Sequence, residues 1–245
     1  MLATEKEETN EQMIQLLIHN GADIDAALLN AIREKNHRAF EVLVKYRSKI
    51  EDKPKQKTLN SAKFNFFSPI MLASKLGEFE MVAQLMLHGD ELLEHHIKCA
   101  CNFCSPAESS IITQRLIRIE SYKALANPVY ICARYILNCN STDNKDPIQV
   151  AFTLSNKLKQ QAEVDYEYKE DYNKLYSALN DFCVNILDNC QQVDEIQAVM
   201  DTCVYLDDTK QDVIPEEARH LGLLDIAIAQ QNEQVKIIED NVRCL

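Results

Sequence analysis

Three stretches near the start of the chain place apolar residues in matching slots: MIQLLIHNGADI (13–24), LLNAIREKNHRAFEVLVKYR (28–47) and SPIMLASKLGEFEMVAQLMLHGD (68–90). Ala31 falls on Ala73, Phe40 on Val82, Leu43 on Leu85 and Val44 on Met86, all at an offset of 42. Leu16, Leu17 and Ile18 fall in the same way on Val42, Leu43 and Val44. Each unit reads as a short helix, a break of two or three residues, and a second helix with apolar side chains at i, i+3 and i+4. The segment 48–65, SKIEDKPKQKTLNSAKFN, interrupts this rhythm and reads as an exposed loop.

SPIMLAS resembles the T-P-L-H-x-A opening of an ankyrin repeat, and NGADI resembles the Gly-Ala turn that closes one. Pro69 suits a first helical turn, where its missing N–H loses nothing, with Ser68 as the N-cap. Gly21 and Gly89 suit the left-handed position that ends a helix. The second unit has neither the opening signature nor the glycines, so a generic array of helical hairpins is the alternative reading.

From 106 onward the repeat is lost and longer helices are predicted. In 109–126, Ile112, Leu116, Ile119, Tyr122 and Leu125 share one face, and Asn127-Pro128 stops that helix and starts another. Asp146-Pro147 opens a further helix. Beyond it Val164, Tyr168, Tyr172, Leu175, Leu179, Phe182 and Ile186 form a stripe, read as a helix packed on a domain core rather than a coiled-coil seam. The acidic stretch 188–217 reads as solvated loop and helix ends, and 219–238 as a closing amphipathic helix.

Composition agrees with an all-α fold. Only 4 Gly and 6 Pro occur in 245 residues, too few for the phosphate loops of nucleotide enzymes or the turns of β-sandwiches. No G-x-S-x-G, Walker A or H-E-x-x-H pattern occurs, so an enzyme is not expected. The formal charge of −12 disfavours nucleic acid and anionic membrane surfaces as partners. Phe64–Ser74, 11 residues without Asp, Glu, Lys or Arg, is far short of the roughly 20 apolar residues of a membrane-spanning helix. The acidic start MLATEKEETNEQ does not read as a signal peptide.

The 9 cysteines do not form a disulfide framework in a chain this long. Cys132, Cys139, Cys183, Cys190, Cys203 and Cys244 read as packing thiols, most of them on apolar helical stretches. The other three crowd into HHIKCACNFC, where Cys99, Cys101 and Cys104 follow His95 and His96. Three thiolates and one imidazole make a closed tetrahedral set for structural zinc. A closed set leaves no open position for a catalytic water, so Glu94 is not read as a base. The fourth ligand is His95 or His96; His95 lies four residues before Cys99 and would share a helical face with it.

Repeats, then HHIKCACNFC, SYKALANPVYI (121–131), DPIQVAFTLSNKLKQ (146–160) and DYNKLYSALNDFCVNILD (171–188) follow the order in the cytoplasmic N-terminal region of TRPC-type transient receptor potential channels, which this chain resembles. The resemblance implies ankyrin-type repeats over 1–90, a zinc-binding loop over 91–106 and a linker-helix domain over 107–245. It matches the family's zinc ligands to His95, Cys99, Cys101 and Cys104, although Glu94 stands where the family usually has proline and the histidine is doubled. It further implies a fragment, itself soluble, from the cytoplasmic face of a plasma-membrane channel. That channel would be tetrameric, calcium-permeable and opened downstream of phospholipase C. Its partners would be other channel subunits and cytosolic signalling proteins, with membrane contact only through segments outside this chain. The alternative is a freestanding, soluble ankyrin-repeat adaptor.

Overall fold

A computed structural model describes residues 11–50, 68–95, 110–137 and 146–189, and the short backbone segments 204–205 and 220–221. The described residues are helical apart from those two segments, which pair antiparallel. They divide into two compact units, one holding the helices up to Leu137 and the other those from Pro147 onward.

The first unit contains α1 (Glu11–His19), α2 (Ile24–Arg33), α3 (His37–Ile50), α4 (Pro69–Leu76), α5 (Phe79–Leu87), α6 (Ile111–Leu125) and α7 (Pro128–Leu137). Their packing forms two rows: α2 lies on α4 and α4 on α6, while α1, α3, α5 and α7 follow one another in the second row. Within a hairpin, α2 packs on α3 and α4 on α5. Three of the four pairs matched by the 42-residue offset do matched work; in the fourth, Val44 is buried but Met86 only half-buried. Ala31 and Ala73 are fully buried, and Phe40, Val82, Leu43 and Leu85 are buried in the same core. Ala31 and Ala73 add little bulk between the first helices, while Phe40, Leu43, Val82 and Leu85 fill space on the second helices.

Local chemistry sets the helix ends. Asp23 accepts from the backbone N–H groups of Asp25 and Ala26, Ser68 from Met71 and Ser110 from Thr113. Asn36 caps α3 through Ala39, and Asn127 accepts from Val129 at the start of α7. Pro69 and Pro128 begin α4 and α7, as expected from their missing N–H. Gly77 takes the left-handed conformation that closes α4, with φ 75°. Its counterpart after α2 is Lys35, which holds φ 52°. The Asn36 N–H reaches the Ala31 carbonyl just as the Glu78 N–H reaches Ala73. The second repeat, within the first compact unit, therefore makes the same turn without glycine, at the steric cost a Cβ incurs there. Replacing Lys35 with Gly should raise stability by up to about 1 kcal/mol, partly offset by loss of the ion pair between the exposed Lys35 and the half-buried Glu78. A urea transition moved to higher midpoint with unchanged slope is the expected reading.

The periodicity of 109–126 holds only in part. Ile119, Tyr122 and Leu125 are buried, but Ile112 is 73% exposed, because only the C-terminal half of α6 meets the array. That half carries a largely buried ion-pair cluster: Glu120 pairs with Lys75 of α4 and with Lys123, the latter at 2.9 Å. Burial alone would raise the Glu120 pKa, but the two lysines outweigh it and hold the carboxyl below its ordinary 4.5. A depressed folded-state pKa means that the pairing stabilises above the unfolded value and is lost as pH falls through the folded one. Glu120→Gln should accordingly cost about 1–3 kcal/mol at pH 7. The gap to the parent chain should close progressively below pH 4.5, as read from urea midpoints across pH.

The second unit is built on α8 (Pro147–Val164) and α9 (Lys169–Asp188), packed along each other. Asp146 caps α8 through the Ile148 N–H, with Pro147 in the first turn. The stripe 164–186 does not run through one helix. The chain breaks after Val164 into a 3₁₀ turn at Tyr166–Tyr168, because the buried Asp165 draws the Gln161 amide (2.8 Å) and the Tyr172 hydroxyl (3.1 Å) onto one carboxylate oxygen. Beyond the break the buried line is Tyr172, Tyr176, Leu179, Cys183 and Leu187, so Leu175, Phe182 and Ile186 flank the seam instead of forming it. Helix α9 does pack on a core. Val204–Tyr205 pairs with His220–Leu221, which corrects the start of the helix expected over 219–238 and places a strand within the stretch read as loop. The rest of 219–238, like most of 188–217, lies outside the described residues.

Of the cysteines read as packing thiols, two are described. Cys183 is buried, and burial together with the Asp146 charge pushes its thiol up to about 12. Cys132 is half-buried and also shifted upward by burial. Protonated thiols of this kind are poor nucleophiles and poor metal ligands. Cys139, Cys190, Cys203 and Cys244 lie outside the described residues.

Candidate functional site

The segment from Asp90 to His95 leaves α5 without regular structure and leads to the cysteine cluster. A chain in this state needs side chains to satisfy its backbone, and the unit supplies them at three points. Arg47 of α3 donates to the Asp90 carboxylate at 2.6 Å, with its Nε 3.5 Å from Asp25. The Leu92 N–H donates to the hydroxyl of Tyr130 on α7 at 3.1 Å. The Tyr122 hydroxyl on α6 donates to the His95 carbonyl at 3.2 Å.

Both tyrosine rings are buried, and burial raises the Tyr130 pKa, so its phenol stays neutral. Leu92 is buried too and adds an apolar peg between the polar anchors.

His95 is 4% exposed. Its Nε2 lies 3.3 Å from the hydroxyl of Ser121, which itself donates to the Ile117 carbonyl at 2.9 Å one turn back along α6. A buried imidazole with one ring nitrogen against a side-chain oxygen fits a zinc ligand, whose other nitrogen is commonly held that way. Among the expected ligands, His95 is the described one. Cys99, Cys101 and Cys104, with His96, lie outside the described residues, and among those described no three His, Cys, Asp or Glu gather into a cation site. Ser121, Tyr122 and Tyr130 are the residues that motif reading missed as parts of this site. All three belong to SYKALANPVYI, the stretch that helped to carry the family resemblance.

Residues 99–169 match the family described as Transient receptor ion channel II. The match begins at the cysteine cluster and runs through α6, α7 and α8. The chain is similar to short transient receptor potential channel 3 of Mus musculus, with 33% identity over 135 residues, covering 54% of this chain and 14% of that protein. It is also similar to short transient receptor potential channel 4 of Mus musculus, with 27% identity over 241 residues, 96% of this chain and 23% of that protein. The match thus spans less than a quarter of the length of either relative. By name these relatives are channels and not enzymes. No helix among the described residues is long and apolar enough to cross a membrane.

Proposed function

We propose that this chain is a cytoplasmic assembly and coupling region of a transient receptor potential cation channel and holds none of the pore. The observation that carries the reading is the extent of the likeness to short transient receptor potential channel 4, 96% of this chain. In this reading residues 1–90 are ankyrin-type repeats, 91–106 a zinc loop and 107–245 the linker-helix domain. Stacked helical hairpins offer surface to other chains, here sister subunits of a homo- or hetero-tetramer and cytosolic signalling proteins. The linker helices pass conformational change toward the membrane. The channel of which it forms part is calcium-permeable, lies in the plasma membrane and opens downstream of phospholipase C.

His95, Cys99, Cys101 and Cys104 would hold the zinc, which supplies a structural cross-link and no reaction chemistry. The buried His95, anchored through ring and carbonyl, supports that set. The chain's own contribution is to hold the approach to the loop through Tyr130, Tyr122 and Ser121.

The coding sequence downstream of Leu245 tests the reading. Several spans of about 20 apolar residues are expected there. An in-frame stop codon in the native transcript would replace the channel with a freestanding ankyrin-repeat adaptor.

A further inference from the structure

We propose that Asn20 is a site of spontaneous modification, where the side chain loses its amide as ammonia and becomes aspartate or isoaspartate when the last turn of α1 opens. Its chemistry is independent of the zinc and channel readings.

Asn20 is the asparagine of this chain that precedes a glycine, and both residues are exposed. Asparagine is a thermolabile residue, and its side chain reacts when the backbone nitrogen of the next residue reaches its Cγ. A following residue without Cβ obstructs that approach least. No atom lies within 4 Å of the position a Cβ would take at Gly21, which leaves open space for a five-membered ring. In the reaction the Gly21 N–H gives its proton to hydroxide, and the nitrogen bonds to Cγ of Asn20. The Cγ–Nδ2 bond breaks, and Nδ2 takes a proton from water and leaves as ammonia. Water then adds to either carbonyl of the succinimide and opens it to aspartate or isoaspartate, with no change of oxidation state.

The closed turn restrains both reacting groups. The Gly21 N–H donates to the Ile18 carbonyl at 3.0 Å, and the Asn20 side-chain amide donates to the Leu16 carbonyl at 2.7 Å. Opening of this turn is therefore the gate. Helix α1 is lightly held: it packs chiefly on α3, and Leu16 and Leu17 are 60% and 40% exposed, although Leu43 and Leu85, which share the slot of Leu17, are buried. Elements with few buried apolar contacts open locally at low free energy. The product keeps the turn open, because a carboxylate cannot donate to the Leu16 carbonyl and its charge is unfavourable at a helix C-terminus. Isoaspartate also inserts a methylene into the backbone, which shifts the Ala22 N–H from the Leu17 carbonyl it reaches at 3.0 Å.

The test uses the full chain, parent and Ile14→Ala, incubated at mildly alkaline pH both folded and in urea. Ile14 is the buried side chain of α1, so its truncation loosens that helix, while circular dichroism shows that the other helices remain. Peptide mapping by mass spectrometry follows each asparagine, and chromatography separates isoaspartate from aspartate.

Asn20 is expected to convert first in the folded parent, with isoaspartate among the products, at a rate up to about 10-fold below that in urea. In folded Ile14→Ala the rate should rise toward the urea value. If Asn20 keeps its amide in the folded parent while other asparagines convert, the site is overturned. Aspartate without isoaspartate would overturn the cyclic route. Equal rates for the folded parent and the parent in urea, or no acceleration in folded Ile14→Ala, would overturn the gate. Should Ile14→Ala not fold, the comparison of folded parent with parent in urea decides the gate alone.

Discussion

Replacing Tyr122 with Ala should destabilise the first unit by about 3–5 kcal/mol, the range for truncating a large buried aromatic side chain. Tyr122 is fully buried in the half of α6 that meets the array, and its hydroxyl is bonded to the His95 carbonyl. The alanine variant therefore combines a core cavity with a backbone acceptor that loses its partner. Tyr122→Phe separates the two effects, because the ring stays and only the hydroxyl goes. It should cost about 1–2 kcal/mol, the penalty of leaving a buried acceptor without that bond. Urea midpoints of the two variants at constant slope measure both values. Zinc affinity should fall in Tyr122→Phe as well, because the carbonyl it releases belongs to the residue read as the first ligand of the loop.

Removal of the metal should have the largest effect. The proposed ligands Cys99, Cys101 and Cys104 lie within six residues, where little apolar side-chain area is available to hold a loop. Zinc binding free energy then becomes folding free energy for that stretch. A strong chelator should release one zinc per chain, lower the thermal midpoint and reduce helicity. Cys101→Ser should show the same state without chelator, since the three remaining ligands no longer close the tetrahedron. A metal-free chain of undiminished stability would remove zinc from the account. The effect should shrink as pH falls, because thiolates and imidazole must be deprotonated to bind and the metal then contributes less of the starting stability.

The hairpin array was legible because its signals are local. The offset of 42, the Pro69 start and the Ser68 cap each depend on a few neighbouring residues. Lys35 shows why the second repeat was harder to read. Its turn has the same hydrogen bonds as that at Gly77, but a lysine accepts the left-handed conformation once the helices on either side are packed. The reading of α9 as a packed helix stood, whereas its seam was displaced by Asp165. A carboxylate buried between Gln161 and Tyr172 leaves no mark in hydrophobic periodicity.

The division at 106 follows a change of periodicity, while the packing of α6 and α7 continues the two rows to Leu137. Rows of helices depend on which faces meet, and longer helices can extend an array that began with short ones. At the candidate site, residue types suggest a zinc set that includes His95, and of those residues the structure describes His95 alone, as a buried side chain. Nothing in the spacing of HHIKCACNFC points to Ser121, Tyr122 or Tyr130, because those contacts cross 26 to 38 residues.

The measurement that bears most directly on the whole account is a whole-cell recording from cells expressing the complete coding sequence, with and without Cys101→Ser, alongside surface labelling and tetramer yield. The account predicts a receptor-stimulated cation current for the parent, and loss of both current and tetramers for the variant. Normal current with normal surface expression in Cys101→Ser would contradict it.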